Sequence, residues 1–162
     1  MVSGYLLAAT ISTPIYGKLG DLYGRRMLLT IAISIFVAAS VLAALAGSMA
    51  HLIAARTLQG LGAGGLMTLA QAIIGEAVAP RERGKYQAYF AAVFAASSVG
   101  GPIIGGLFVW YLSWSWIFWI NLPLGLAALA LCRFALRRLP VHRHAARIDF
   151  VGAALLTLGV GA

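Results

Sequence analysis

The sequence is short of acids. Aspartate and glutamate together number four in 162 residues, against 12 lysines and arginines, and all charged residues make up 10% of the chain. Water-soluble domains carry about a quarter charged residues and about half apolar ones. Here 62% are apolar, and the mean hydropathy is +0.93. A chain of this length has too little interior to hide so much apolar surface from water. The solvent for most of it is therefore lipid, and a soluble globular domain is excluded. Cysteine is nearly missing as well. The one present, Cys132, excludes an intramolecular disulfide framework and fits no metal-ligand spacing. It reads as a small residue inside a helix. The four acids, Asp21, Glu76, Glu82 and Asp149, do not form the cluster in the lipid zone that a membrane-embedded enzyme needs. Ser3, Ser34, Ser40, Ser97 and Ser98 fall in apolar runs, where hydroxyls bond their own backbone. His142 and His144 stand two apart in a basic stretch with no further ligands nearby. No enzymatic activity, cofactor or metal is expected.

What the chain has is long apolar runs. Six segments cover about 2–16, 27–47, 52–77, 86–109, 117–136 and 150–162. The middle four reach about 20 residues or more, enough to cross a hydrocarbon layer of roughly 30 Å as helices. Their apolar character is continuous rather than alternating, which points to helices and not barrel strands. A helix over 2–16 rises only about 22 Å, and 150–162 is shorter still. Both ends therefore read as cut, as in a piece of a longer polypeptide. No positive region precedes the first run, so it does not read as a signal peptide. The expected fold is an all-α membrane protein. A partial transmembrane bundle covers 1–136, a basic loop covers 137–149, and a further helix starts at 150.

The net charge is +8. In a soluble protein that would suggest nucleic acid, but here the bases gather in alternate connections between apolar runs. Lys18, Arg25 and Arg26 lie in the first connection, and Arg81, Arg83 and Lys85 in the third. Arg133, Arg137, Arg138, Arg143 and Arg147 lie in or beside the fifth. The second connection, "GSMAH", and the fourth, "WYLSWSW", hold no base. The positive-inside rule makes the basic side cytoplasmic, so 17–26, 80–86 and 137–149 face the cytoplasm of an inner (plasma) membrane protein. All four tryptophans, Trp110, Trp114, Trp116 and Trp119, surround the uncharged fourth connection. That is the aromatic belt of the opposite interface. Asn121 followed by Pro123 reads as a helix start, with a capping side chain and a first-turn proline.

The stretch "GKLGDLYGRR" from Gly17 to Arg26 concentrates glycine and charge between two apolar runs. Gly17, Gly20 and Gly24 supply backbone freedom for a reversal. Asp21, read as near the start of the next helix, suits the positive end of a helix dipole, or pairs with an arginine from a neighbouring helix. Arg25 and Arg26 sit at headgroup level. The order of residues says more. Gly17, Leu19, Asp21, Gly24, Arg25, Arg26 and Leu29 reproduce G-x-L-x-D-x-x-G-R-[KR]-x-x-L. This resembles the signature loop between the second and third helices of the major facilitator superfamily, with Leu22 where many members have arginine. Ile53, Arg56, Gln59 and Gly60 match that family's fourth-helix pattern. Gly101, Pro102, Gly105 and Gly106 match G-P-x-x-G-G, the fifth-helix motif of its proton-coupled exporters, whose leading glycine is Ser97 here. The fourteen-helix drug:proton antiporter branch is the most similar, and the chain resembles its helices two to six plus the opening of seven.

That resemblance implies a proton-coupled efflux transporter for drug-like, amphipathic small molecules, working by alternating access, here as a fragment. It implies a gating role for Gly17, Asp21, Gly24, Arg25 and Arg26. It also implies a role for Arg56 and Gln59 in substrate or proton coupling, and helix packing by Gly101, Pro102, Gly105 and Gly106. The partners expected are protons, the lipid bilayer and the missing remainder of the same transporter, with no nucleic acid. From the residues alone, Arg56 stands out as the one base outside the basic connections. An arginine at membrane depth costs about 2.5–3.5 kcal/mol on insertion scales, so it faces a cavity or a partner, or snorkels to the outer edge. Pro102 removes a backbone hydrogen bond, and Gly101 with Gly105 forms a small-xxx-small pair that admits a neighbouring helix. "GLGAGG" from Gly60 to Gly65 spells a dinucleotide fingerprint but lies within a long apolar run, so its glycines read as helix contacts. An importer of a metabolite, or a membrane adaptor without transport, remains the alternative. The G-P-x-x-G-G motif argues against the importer and Arg56 against the adaptor.

Overall fold

The computed structural model of the chain describes residues 2–135. The basic loop expected over 137–149 and the helix start expected over 150–162 lie outside the described residues. Within them every regular element is helical: α1 (Val2–Tyr23), α2 (Arg25–Ala44), α3 (Met49–Ala77), α4 (Arg83–Tyr111), the single turn α5 (Trp116–Trp119) and α6 (Asn121–Ala135). Four stretches, Arg25–Ala44, Met49–Ala77, Arg83–Tyr111 and Trp116–Phe134, are long and apolar enough to cross a membrane.

The first connection differs from its expected form. α1 does not stop near Tyr16 but continues through Gly17, Gly20 and Asp21 to Tyr23, and its 22 residues rise about 33 Å. Glycine is a poor helix former, by about 1 kcal/mol relative to alanine. Here tertiary packing overrides that preference: a Cβ added to Gly20 would stand 2.8 Å from Leu69 Cδ2 of α3. Only Gly24 lies between α1 and α2, at φ 95° and ψ 124°, a conformation that residues with a Cβ rarely adopt. The reversal therefore rests on one glycine rather than three. At the other end, Ser48 caps α3 by accepting a hydrogen bond from the His51 N–H at 3.2 Å. α6 begins at Asn121 with Pro123 in its first turn.

Contacts fix the directions of the helices. Ascending α3, a Cβ on Gly60 would meet the Tyr5 carbonyl, one on Gly64 would meet Ala9 and Ser12, and one on Gly65 would meet the Tyr16 ring. The partners on α1 ascend in step, so α1 and α3 run in the same direction. Against α2 the order inverts. Gln59 meets Ser40, Gly62 meets Phe36, and Gly65 meets Ala32, so α2 runs antiparallel to α3. α6 is antiparallel to α2 as well, with Gly125 against Val37 and Cys132 Sγ 3.8 Å from Thr30 Oγ1. The glycines of "GLGAGG" therefore serve two neighbours, with Gly60 and Gly64 towards α1, Gly62 towards α2, and Gly65 towards both. Lipid tails are as apolar as leucine, so such contacts gain from close van der Waals approach rather than from expelling water.

Three small clusters form the interior. Tyr16, Leu28, Ala32 and Leu69 fill the end near Gly24. Ile33, Val37 and Cys132 join α2 to α6. Ala43, Ala44, Ala55 and Phe118 close the far end. Among the described residues the bases of the first and third connections and Arg133 thus gather at one end, while the tryptophan-rich segment lies at the other. Trp110 is 83% exposed there. α4 stands apart. None of its residues is buried, and most of its large apolar side chains, Val93, Phe94, Val99 and Ile103 among them, are exposed.

Candidate functional site

At the basic end, three helices meet on one guanidinium. Arg25 is the first residue of α2. Its Nη2 donates to Asp21 Oδ1 at 2.7 Å and its Nε to the same oxygen at 3.2 Å. Its Nη1 donates to the Ala72 carbonyl of α3 at 2.7 Å and lies 3.4 Å from Glu76 Oε1. Asp21 sits in the last turn of α1, not at the start of a helix as the sequence suggests. An acid there, and a base at the start of α2, are each on the wrong end of their helix dipole. Their mutual contact across Gly24 offsets that cost. Both side chains are partly exposed, so the pair contributes only about 0–1 kcal/mol. Its value is geometric, because the planar fork of arginine holds α1, α2 and α3 in one register. Arg26 reaches across to α6, its Nη2 3.4 Å from the Arg133 carbonyl. Gly17 makes only ordinary contact with Thr68, its notional Cβ 3.9 Å from Thr68 Cγ2.

A second polar site lies within the bundle towards the tryptophan end. Arg56 is about 10 Å along α3 from its first residue. Its Nη1 donates to Gln59 Oε1 at 3.1 Å. The Phe118 ring lies 4.9 Å from the guanidinium carbon and the Tyr5 ring 5.7 Å from it. Gln59 is 1% exposed, and its Nε2 donates to Ser40 Oγ at 2.7 Å. The Ser40 hydroxyl in turn donates to the Phe36 carbonyl at 2.8 Å. Arg56 is held by an amide and two aromatic faces, and no carboxylate among the described residues pairs with it. Arg56 is half-buried, and cation–π contacts of this kind are worth about 0.5–2 kcal/mol depending on how far the cation is desolvated. No buried side-chain nitrogen or oxygen is left unsatisfied among the described residues.

Beside Tyr5, a shallow groove of about 320 Å³ opens between α1 and α3, lined in part by Thr10, Thr13 and Met67. Both threonine hydroxyls donate within α1, Thr10 to Leu6 and Thr13 to Ala9, each at 2.8 Å. The groove thus presents methyl groups and oxygen lone pairs.

The expected packing motif on α4 finds no neighbour among the described residues. A Cβ on Gly101, Gly105 or Gly106 would have no atom within 4 Å, and Pro102 is exposed. The helix continues through Pro102 without interruption.

The sequence thus leads to Arg56, Gln59, Asp21 and Arg25, and the structure brings the first two together and the last two together. It does not lead to Ser40, Phe118, Tyr5 or Glu76. Ser40 reads as a hydroxyl bonded to its own helix, which it is, but its lone pairs serve a second helix. Phe118 lies between Trp116 and Trp119 and carries no signal of its own in the sequence. An acid at the end of an apolar run, four residues beyond Ala72, is the one sequence signal that marks Glu76.

The sequence profile of the Major Facilitator Superfamily matches residues 1–159. The chain is 41% identical over 161 residues to Multidrug transporter protein MdtP of Bacillus subtilis, covering 99% of this chain and 29% of that protein. It is 40% identical over 167 residues to the MFS-type efflux pump LUC4 of a Fusarium species, covering 100% of this chain and 30% of that one. It is 39% identical over 161 residues to Efflux pump dotC of Dothistroma septosporum, covering 97% and 28%. The chain thus spans about 30% of the length of these relatives.

Proposed function

The chain belongs to the major facilitator superfamily, and from that premise we propose that it is part of a proton-coupled exporter of amphipathic, drug-like molecules in a plasma membrane. The whole transporter alternates access to a central path, with 17–26 and 80–86 facing the cytoplasm. The three-helix junction of Asp21, Arg25 and Glu76, seated on Gly24 with Arg26 beside it, holds the cytoplasmic end closed. Arg56 and Gln59 couple substrate to proton movement. α4 packs its Gly101, Pro102, Gly105 and Gly106 face against the remainder of the same transporter.

The observation that carries this reading is the placement of Arg56. It is a half-buried cation in an apolar helix bundle, held by an amide at 3.1 Å and an aromatic ring at 4.9 Å, with donors left over for a ligand or a titrating group. Intramembrane cations are retained where they act on a transported species. Relatives that bear the names multidrug transporter and efflux pump support export over import.

The test uses everted membrane vesicles containing the whole transporter that carries this chain. Respiration acidifies their lumen, and a fluorescent weak base reports the gradient. Adding the lipophilic cation ethidium releases protons from the lumen, and Arg56→Ala abolishes that release. Ethidium transport without proton movement, or with protons travelling in the same direction, overturns the proposal.

A further inference from the structure

A guanidinium acts in the direction its donors point, and three elements decide that direction for Arg56. The first is its own helix. Gln59 stands one turn on, and its amide has two ends of nearly equal shape. With Oε1 turned to Arg56 the amide accepts, as it does at 3.1 Å. With Nε2 turned there it would present donors to a donor. The choice is made from α2. The Ser40 hydroxyl has one hydrogen, and the Phe36 carbonyl takes it at 2.8 Å. Towards α3, Ser40 therefore offers only lone pairs, and these accept from Gln59 Nε2 at 2.7 Å. That bond sends Oε1 to the Arg56 side. Ser40 is fully buried and Gln59 nearly so, so water does not compete for either. The third element is α5, whose Phe118 ring faces the guanidinium at 4.9 Å. Phe118 is itself fixed, packed in the cluster with Ala43, Ala44 and Ala55 and edge-on to Trp114 at a centroid distance of 6.2 Å.

We infer that Ser40 and Phe118 are positioning residues: Ser40 selects the face of Gln59 that holds Arg56, and Phe118 restricts rotation of the guanidinium. Neither needs to touch substrate. The inference rests on the reading of Arg56 as a coupling residue. It adds that coupling depends on a hydroxyl from α2 and a ring from α5.

The experiment uses the whole transporter reconstituted in liposomes, with ethidium as the probe. Two quantities are read: uphill accumulation driven by an imposed pH gradient, and downhill equilibration without one. Ser40→Ala lowers uphill accumulation by about threefold to tenfold, the worth of one neutral hydrogen bond, while downhill flux is little changed. Ser40→Thr restores uphill accumulation, because a helical threonine also donates to the carbonyl four residues back and offers the same lone pairs. Phe118→Leu behaves like Ser40→Ala, and Phe118→Tyr, which keeps the ring, behaves like the wild type. If Ser40→Ala fails to reach the membrane, the Phe118 pair decides the matter. A merely structural role would lower both fluxes together, with no rescue by threonine or tyrosine, and that result overturns the inference. Arg56→Ala separates the two readings. If it loses uphill accumulation while Ser40→Ala and Phe118→Leu keep it, positioning fails and coupling by Arg56 stands. If Arg56→Ala accumulates ethidium like the wild type, the coupling reading fails and this inference with it.

Discussion

Asp21 Oδ1 and Arg25 Nη2 meet at 2.7 Å across Gly24, the one residue that separates α1 from α2. The contact joins the last turn of one helix to the first residue of the next. The same guanidinium also reaches the Ala72 carbonyl of α3. Backbone geometry, an ion pair and a helix end are thus combined within five residues.

Replacing Gly24 with alanine forces a Cβ into a backbone at φ 95°. The expected cost is about 1–3 kcal/mol, seen as a lower melting temperature of the purified transporter in detergent. An unchanged melting temperature means the junction relaxes without strain.

Substitutions at Arg25 and Asp21 separate the parts of the junction. Asp21→Asn removes one weak ion pair, whereas Arg25→Ala also removes the bond to Ala72. Amide hydrogen exchange around Gly24 and the start of α2 therefore rises slightly in the first variant and more in the second. Equal exchange in both would show that the α3 contact contributes nothing.

The glycines of α3 are predicted to differ sharply from one another. A Cβ at Gly60 or Gly64 meets the backbone carbonyl of Tyr5 or Ala9, while a Cβ at Gly75 has no atom within 4 Å. Gly60→Ala and Gly64→Ala push α1 from α3 and cost about 1–3 kcal/mol each, as overpacked cores do. Gly75→Ala is neutral or slightly stabilising, since alanine is the better helix former. Thermal melting of the three variants side by side checks the order.

The α4 face yields a paired prediction. Produced alone, this chain confers no drug resistance, because it spans about 30% of its relatives and Gly101 and Gly105 meet no atom among the described residues. Gly101→Leu leaves the melting of the chain alone unchanged but lowers that of the whole transporter. Resistance from the chain alone at normal expression, or a tolerated leucine in the whole protein, contradicts this account.

Much of this architecture is written in local pattern. Apolar runs mark the helices, and bases and tryptophans mark opposite ends, because lipid imposes both rules on any chain. Arg56 and Gln59, three apart on one helix, are close by helical spacing alone. The true end of α1 is not legible, since Gly17, Gly20 and Asp21 all look like breakers. The helix runs on through them, and the closest packing there, Gly20 against Leu69, joins residues about 50 positions apart in sequence. Ser40 and Phe118 are hidden for the same reason. Their partners lie on other helices, and the register between helices is set by which glycine faces which carbonyl, a relation that no single stretch of sequence displays.

The one-residue junction has a mechanical meaning. A longer connection would absorb a shift of one rod before the next felt it. With Gly24 as the whole link, the tilt of α1 is handed directly to α2, and the glycine contacts pass it on to α3. These three rods are thereby tied to shift as one, whereas α4, none of whose residues is buried, is held to them far more loosely.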